Sequence, residues 1–146
     1  ARWYARHPAV RRFQAQTAEG VRRHHFYQSP LGAKRWIAQS WGPDLEREVR
    51  NVPMQLNAAL LMNRCQARLH HEFAAPILLQ HHDSFLLEVP EDGVPYWVGV
   101  LREVMEAPVA ELGDTSFPID LAVGRNWGDA GPTNPGGLRG LEAWKG

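Results

Sequence analysis

The chain has 146 residues, of which 44% are hydrophobic and 22% are charged, and its formal net charge at pH 7 is zero. This length fits one globular domain that can bury a core. The single cysteine, Cys65, excludes an intramolecular disulfide framework and fits a reducing compartment. The sequence contains no run of about 18 apolar residues, so it predicts no membrane-spanning helix.

Positive charge is concentrated in the first part of the chain. Residues 1–50 carry ten Lys and Arg against four Asp and Glu, a net charge of +6, and residues 51–146 carry the balancing −6. This asymmetry predicts an anionic partner for the first part, with nucleic acid leading because phosphate contacts supply most non-specific affinity. The alternative is a solvated helix face formed by Arg11, Arg12, Arg22 and Arg23.

The first predicted elements are a helix and a β-hairpin. Pro8 begins the helix, since proline suits the first helical turn. Its predicted buried stripe consists of residues at helical spacing, namely Val10, Phe13, Thr17 and Val21. The hairpin runs from Phe26 to Trp36 and turns at Ser29-Pro30-Leu31-Gly32, which places the cations Lys34 and Arg35 near its end.

Two consecutive helices are predicted next. Asp44 is expected to cap a helix from Leu45, and Pro53 is expected to break or kink the chain near Asn51. The second helix covers residues 53–72. Its predicted apolar stripe is Met54, Ala58, Leu61, Leu69 and Phe73.

Two amide side chains lie at the junction of these helices. Asn51 and Gln55 are four residues apart, so they share one face if the helix carries through the kink. Amides suit the minor groove of a duplex, where every base pair offers an acceptor at N3 or O2. The alternative is an N-terminal cap followed by an exposed glutamine.

A second hairpin is predicted over residues 77–89. Two apolar runs, bounded by Pro76 and Pro90, predict buried strands and flank a polar segment that places Asp83 at the tip of the turn or just past it. A carboxylate on a rigid sheet can hold a metal ion in a fixed place. The alternative is a polar turn in which Asp83 caps its own backbone.

The last part of the chain predicts one more helix and one more strand. The helix covers residues 94–112, ends or is interrupted near Pro108, and has a solvated acidic face of Glu103, Glu106 and Glu111. Residues 117–123 are expected to add a strand to the sheet that carries Asp83, with Asp120 facing solvent.

The segment after these elements is rich in glycine and proline. Residues 128–140 predict an extended tail that either docks on a partner or is disordered at its end. The residues available for docking are Leu138, Leu141 and Trp144.

Histidine is frequent, but its pattern argues against a zinc site. His81, His24-His25 and His70-His71 lack the spacing of known zinc motifs, and adjacent histidines point in different directions on helices and strands.

Three segments together resemble the C-terminal palm of family A DNA polymerases. They are Arg47–Ala59, Ile77–Val89 and Val123–Trp127. The family has an Arg before an Asn-x-Pro-x-Gln helix, then paired strands around His-Asp-Glu, and a last strand ending in Gly-x-x-Trp. Phe26–Arg35 also resembles the family hairpin of the form Tyr-Val-x-Thr-x-x-Gly-Arg-Arg-Arg, so the resemblance extends from about Trp3 to Trp127.

The resemblance implies a fold and a division of the chain. The fold is α+β, with an antiparallel palm sheet whose β-hairpin carries the catalytic Asp and packs against long α-helices. Residues 1–45 would be the end of the fingers subdomain, residues 46–127 the C-terminal part of the palm, and residues 128–146 the tail.

The resemblance also implies roles for single residues. Asp83 matches the carboxylate that binds both catalytic Mg²⁺ ions, and His82 matches the residue at the primer's terminal nucleotide. The remaining DNA-binding residues implied are Asn51, Gln55, Arg47, Arg35 and Lys34. Ser84, a possible secondary site residue, departs from the glutamate that is usual there, and Leu56 and Leu60 replace the usual Gly and Asp.

Two family motifs have no match in the sequence. These are the strand with the second metal-binding Asp and the fingers helix whose Lys and Arg bind the incoming dNTP. Since one carboxylate cannot hold two Mg²⁺ ions against water, we expect the chain alone to be inactive. It would be the C-terminal part or small subunit of a bacterial or phage-type polymerase, located in a bacterial or phage-infected cytoplasm. Its partners would be primer-template DNA, dNTP and the polypeptide that carries the missing motifs.

Two other functions stay open. One is a non-catalytic nucleic-acid-binding or interaction module that retains the palm architecture. The other is a metal-dependent phosphoesterase, against which the lack of further clustered acids argues.

Overall fold

The computed structural model describes residues 2–143, with side chains from Trp3 onward. Its α-helices are α1 (Arg2–Arg6), α2 (Pro8–His24), α3 (Pro43–Val49), α4 (Val52–Phe73) and α5 (Val94–Met105), and short 3-10 helices are formed by Glu91–Gly93, Ala110–Leu112 and Leu141–Ala143. Its strands are β1 (Phe26–Gln28), β2 (Lys34–Trp36), β3 (Ile77–His81), β4 (Ser84–Leu87), β5 (Ala122–Val123) and β6 (Arg139–Gly140). The predicted α+β class is confirmed, although the described strands form three separate two-stranded sheets.

The chain divides into two compact units. The first unit contains the described residues up to Arg64 together with His82–Ser84, and the second contains Cys65–His81 and the residues from Phe85 onward. The predicted fingers, palm and tail boundaries are a functional division and stay a prediction. None of the described helices has the length and apolar character needed to cross a bilayer.

The core of the first unit forms where α2, the β1–β2 hairpin and α3 meet. It consists of Val21, Ile37, Leu45 and Val49, with Tyr27 and Trp41 packed against it. Helix α2 begins at Pro8 as predicted.

The predicted stripe of α2 is only half right. Thr17 and Val21 are buried, but Val10 and Phe13 are 37% and 44% exposed. The core meets α2 only through its last turns, so the first turns remain open.

The junction of α3 and α4 follows the prediction from Pro53. Helix α3 ends at Val49 and α4 begins at Val52, which places Pro53 in a first turn where no intrahelical partner is needed for its nitrogen. The predicted cap of α3 is wrong: the N-cap residue is Gly42, and Asp44 instead accepts a hydrogen bond from Arg47 at 3.2 Å. The sequence Gly42-Pro43 starts the helix earlier because Pro43 also suits a first turn.

The stripe predicted for α4 is correct only in part. Leu69 is 0% exposed as predicted, but Met54 is 68% exposed and Ala58 is also exposed, and Met62, which is not in the predicted stripe, is 8% exposed. The helix runs from the first unit into the second, and each unit covers different residues of it. The predicted stripe therefore describes the end of α4 in the second unit, where Leu69 belongs to the core cluster and Phe73 packs against it, but not its beginning.

The core of the second unit joins α4, α5 and the β3–β4 hairpin. It consists of Leu69, Ala75, Val100 and Val104, and the half-buried Phe85 and Leu87 pack against it. The strands are less buried than predicted, since Leu78 and Leu79 are 61% and 38% exposed. Cys65 is a packed, half-buried thiol whose sulfur lies 3.9 Å from the Val104 carbonyl oxygen.

Helix α5 ends at Met105, before Pro108 as predicted. The expected strand over residues 117–123 is wrong: only Ala122–Val123 is a strand, and it pairs with β6 instead of with the hairpin. Pro118 has no N–H group, and the Ile119 N–H donates to the Glu106 carboxylate at 3.1 Å, so this backbone does not continue a ladder. Glu106 is therefore not part of a solvated face, while Asp120 is exposed as expected.

The predicted extended tail is also wrong for the part of it that the structure describes. Asn126 and Asn134 exchange reciprocal side-chain hydrogen bonds at 3.0 and 2.9 Å, which fold the segment back on itself. Its backbones approach so closely that a Cβ atom on Gly124 would lie 2.6 Å from the carbonyl carbon of Gly137. Leu138 and Leu141 are half-buried within this segment, and the docking role expected of Trp144 lies outside the described residues.

Candidate metal and nucleic-acid site

The tip of the second hairpin is a two-residue turn. Strand β3 ends at His81 and β4 begins at Ser84, which leaves His82 and Asp83 between them. His82 has a φ of 53°, and a positive φ at the first turn residue is characteristic of tight hairpins whose twist matches that of their strands. The turn thus places Asp83 at the hairpin tip, as the sequence predicts.

The Asp83 side chain is exposed at this tip. Within the described part of the chain, no hydrogen bond or ion pair engages its carboxylate, so the alternative in which it caps its own turn is not observed there. His82 and Ser84 are exposed on either side of it and have interactions of their own. The carboxylate oxygens of Asp83 are therefore open to an external ligand.

Asn51 and Gln55 belong to the same compact unit as the hairpin tip. The Gln55 N–H donates to the Asn51 carbonyl oxygen at 3.1 Å, so the helical relation between the two residues holds across the junction. Both side chains are exposed. The start of α4 therefore presents two neighbouring amides to solvent.

Each cation expected to bind DNA has a partner within the first unit. The Arg35 guanidinium donates to Glu48 at 3.1 Å, Arg47 donates to Asp44 at 3.2 Å, and the Lys34 Nζ lies 4.6 Å from the centre of the Phe26 ring. All these side chains remain at least partly exposed. Exposed ion pairs are worth about 0–1 kcal/mol, so a phosphate can displace these acids at little cost.

One contact at the site was missed from the sequence. Ser29 is 2% exposed, and its hydroxyl donates to the Asn57 side-chain oxygen at 2.6 Å while it accepts from the Leu31 N–H at 2.9 Å. The bond ties the β1–β2 turn to α4. The sequence places Ser29 in a turn and Asn57 on a polar helix face, but it contains no signal that pairs them.

The donor set suits magnesium only in part. Mg²⁺ prefers oxygen ligands and is typically bound by one or two carboxylates together with waters, so Asp83 fits as one such ligand. Among the described residues, no three or more His, Cys, Asp or Glu side chains are grouped to hold a metal. Within the described residues, Asp83 is therefore a single candidate carboxylate ligand and not a member of such a group.

Most of this chain is similar in sequence to known proteins. The sequence model of DNA polymerase family A matches residues 1–129, a range that includes every site residue named above. DNA polymerase I of Chloroflexus aurantiacus is 32% identical over 139 residues, which cover 88% of this chain and 15% of that protein. The thermostable DNA polymerase I of Thermus filiformis is 32% identical over 143 residues, and that of Thermus aquaticus is 29% identical over 142 residues.

The matched region is a small part of these relatives. It amounts to 15–16% of the length of each of the three proteins, although it covers 86–88% of this chain. The family model matches most of the chain, including the hairpin that carries Asp83. The chain belongs to DNA polymerase family A.

Proposed function

We propose that this chain supplies part of the palm of a template-directed DNA polymerase, either as its C-terminal part or as a small subunit. The observation that carries the proposal is Asp83, an exposed carboxylate on a tight turn in the same unit as the amides of Asn51 and Gln55. The relatives are DNA polymerases I, which supports DNA and dNTP as the substrates.

Each site residue has a proposed task. Asp83 is a ligand of Mg²⁺, and two such ions would activate the primer 3′-hydroxyl and stabilise the leaving pyrophosphate. Asn51 and Gln55 donate to minor-groove acceptors, which tests the shape of a base pair without reading its identity. His82 contacts the primer's terminal nucleotide. The Ser84 hydroxyl can hydrogen-bond a water molecule or a neighbouring residue, but it adds no charge.

The phosphate contacts fall to the basic residues of the first unit. Lys34, Arg35 and Arg47 are on the hairpin and on α3, and each can exchange its present partner for a backbone phosphate. The second metal-binding Asp and the dNTP-binding helix would come from another segment or subunit. The chain by itself is then expected to bind primer-template DNA without extending it.

A reconstitution experiment tests this function. The chain is mixed with a polypeptide that carries the missing Asp and the fingers helix, and incorporation of a templated dNTP is measured with Mg²⁺. Activity should require both polypeptides, and Asp83→Ala should abolish it. Activity that survives this substitution rejects the role of Asp83.

A non-catalytic nucleic-acid-binding module is the second candidate, favoured by Ser84 in the place of the usual glutamate. Binding that requires Mg²⁺ and a primer-template junction supports the polymerase. Metal-independent binding to any duplex supports the module.

A further inference from the structure

We propose that Ser29 and Asn57 are positioning residues that hold the basic β1–β2 hairpin in register with the amide-bearing start of α4. The role in DNA binding rests on the proposed function, whereas the positioning itself does not. The bond between them joins two residues that are 28 positions apart in the chain.

The Ser29 hydroxyl makes two hydrogen bonds at once. Ser29 is almost fully buried, its hydroxyl donates to Asn57 at 2.6 Å, and the same oxygen accepts the Leu31 N–H at 2.9 Å. The hydroxyl therefore stiffens the turn and anchors it to the helix at the same time. Removing it would leave a partly buried amide oxygen without its donor.

The hairpin has a second attachment at its other end. Ile37, just after β2, is 5% exposed and belongs to the core of the unit. Strands β1 and β2 have three residues each, which is too short for an isolated hairpin to hold its place. Two attachments fix its orientation where one would allow it to pivot.

This orientation matters for a duplex. On α4, Asn57 is two residues beyond the amide of Gln55. On the hairpin, Arg35 is six residues beyond Ser29. The hydrogen bond therefore links a segment that carries the cations to a segment that carries the amides. A duplex bound through both sets must meet them together. A hairpin held in advance loses less conformational freedom on binding, which strengthens the complex.

The test begins without DNA. Nitroxide labels on Lys34→Cys and Ala59→Cys, in a Cys65→Ala background, report the distance from the hairpin to α4 by double electron–electron resonance. Ser29→Ala and Asn57→Ala should each broaden the distance distribution, and the double variant should match the single ones. Ser29→Thr keeps the hydroxyl and should restore the narrow distribution. An unchanged distribution in Ser29→Ala overturns the proposal.

Binding is then measured with unlabelled protein and primer-template DNA at several salt concentrations. Ser29→Ala should weaken binding about five- to tenfold and reduce the salt slope by about one phosphate contact, with Ser29→Thr close to wild type. A broad distribution with unchanged binding overturns the role in DNA recognition. If the wild-type protein fails to bind DNA, the proposed function is overturned. The distances between the labels then still test whether Ser29 and Asn57 position the hairpin.

Discussion

The Arg35 guanidinium and the Glu48 carboxylate form an ion pair at 3.1 Å within the first unit, with 40% and 45% of their side chains exposed. An arginine expected to bind phosphate is thus paired with an acid in this structure. Such a pair orients the cation but also competes with the phosphate for it. Removing the charge of Glu48 shows whether the orientation of Arg35 or the competition with phosphate matters more for DNA binding.

Glu48→Gln should raise the affinity for primer-template DNA about two- to fivefold at low salt, because Arg35 no longer has to leave a carboxylate. The affinity is measured by fluorescence anisotropy from low to high salt. The matched control is Glu46→Gln, which makes the same charge change on the same helix but releases Arg50 instead. Equal gains in both variants would show a general charge effect and contradict the competition at Arg35.

Asn51→Ala and Gln55→Ala should each weaken binding to a matched primer terminus by about 1–2 kcal/mol, or roughly five- to thirtyfold. Because the amides are neutral, the salt dependence of binding should not change. Met54→Ala is the control, since Met54 lies between them and is 68% exposed. Equal losses in all three variants would indicate a disturbed helix rather than lost minor-groove contacts.

Leu69→Ala should lower the free energy of unfolding by about 2–5 kcal/mol, because Leu69 is 0% exposed in the core of the second unit. Leu78→Ala removes the same atoms from a side chain that is 61% exposed. This variant should change the free energy of unfolding by less than about 0.5 kcal/mol. Urea denaturation followed by circular dichroism measures both. Similar losses in the two variants would contradict the placement of this core.

Gly124→Ala should open the folded C-terminal segment, since a Cβ atom there would lie 2.6 Å from the Gly137 carbonyl carbon. Hydrogen exchange over residues 122–140 should become faster. Gly99→Ala is the control: Gly99 lies in α5 with nothing within 4 Å of its Cβ position, and alanine favours a helix over glycine by about 1 kcal/mol. Unchanged exchange in Gly124→Ala would contradict the close approach of these backbones.

Features set by local chemistry were predictable from the sequence. Pro53 marks the break between α3 and α4, Gly32 adopts a φ of 96° in the first hairpin turn, and α5 ends before Pro108. Each depends on backbone preferences of one residue and its neighbours. The position of Asp83 on its turn follows for the same reason.

Features that depend on distant partners were not predictable. The exposure of Met54 reflects which surface each unit covers, and Glu106 captures a backbone N–H 13 residues away that a strand would have used. The pairing of Ser29 with Asn57 and that of Asn126 with Asn134 are also set by tertiary structure. The periodicity of hydrophobic residues along the chain does not predict such contacts.

Single-turnover incorporation of one dNTP by the reconstituted enzyme, compared between Asp83→Asn and Asp120→Asn, tests the central claim most directly. Both substitutions remove one exposed carboxylate charge at nearly constant shape. We expect Asp83→Asn to slow the chemical step at least about a thousandfold with primer-template binding preserved, because a neutral amide is a poor magnesium ligand. Asp120→Asn should remain near the wild-type rate. An Asp83→Asn rate within tenfold of wild type would contradict the assignment of this carboxylate to the metals.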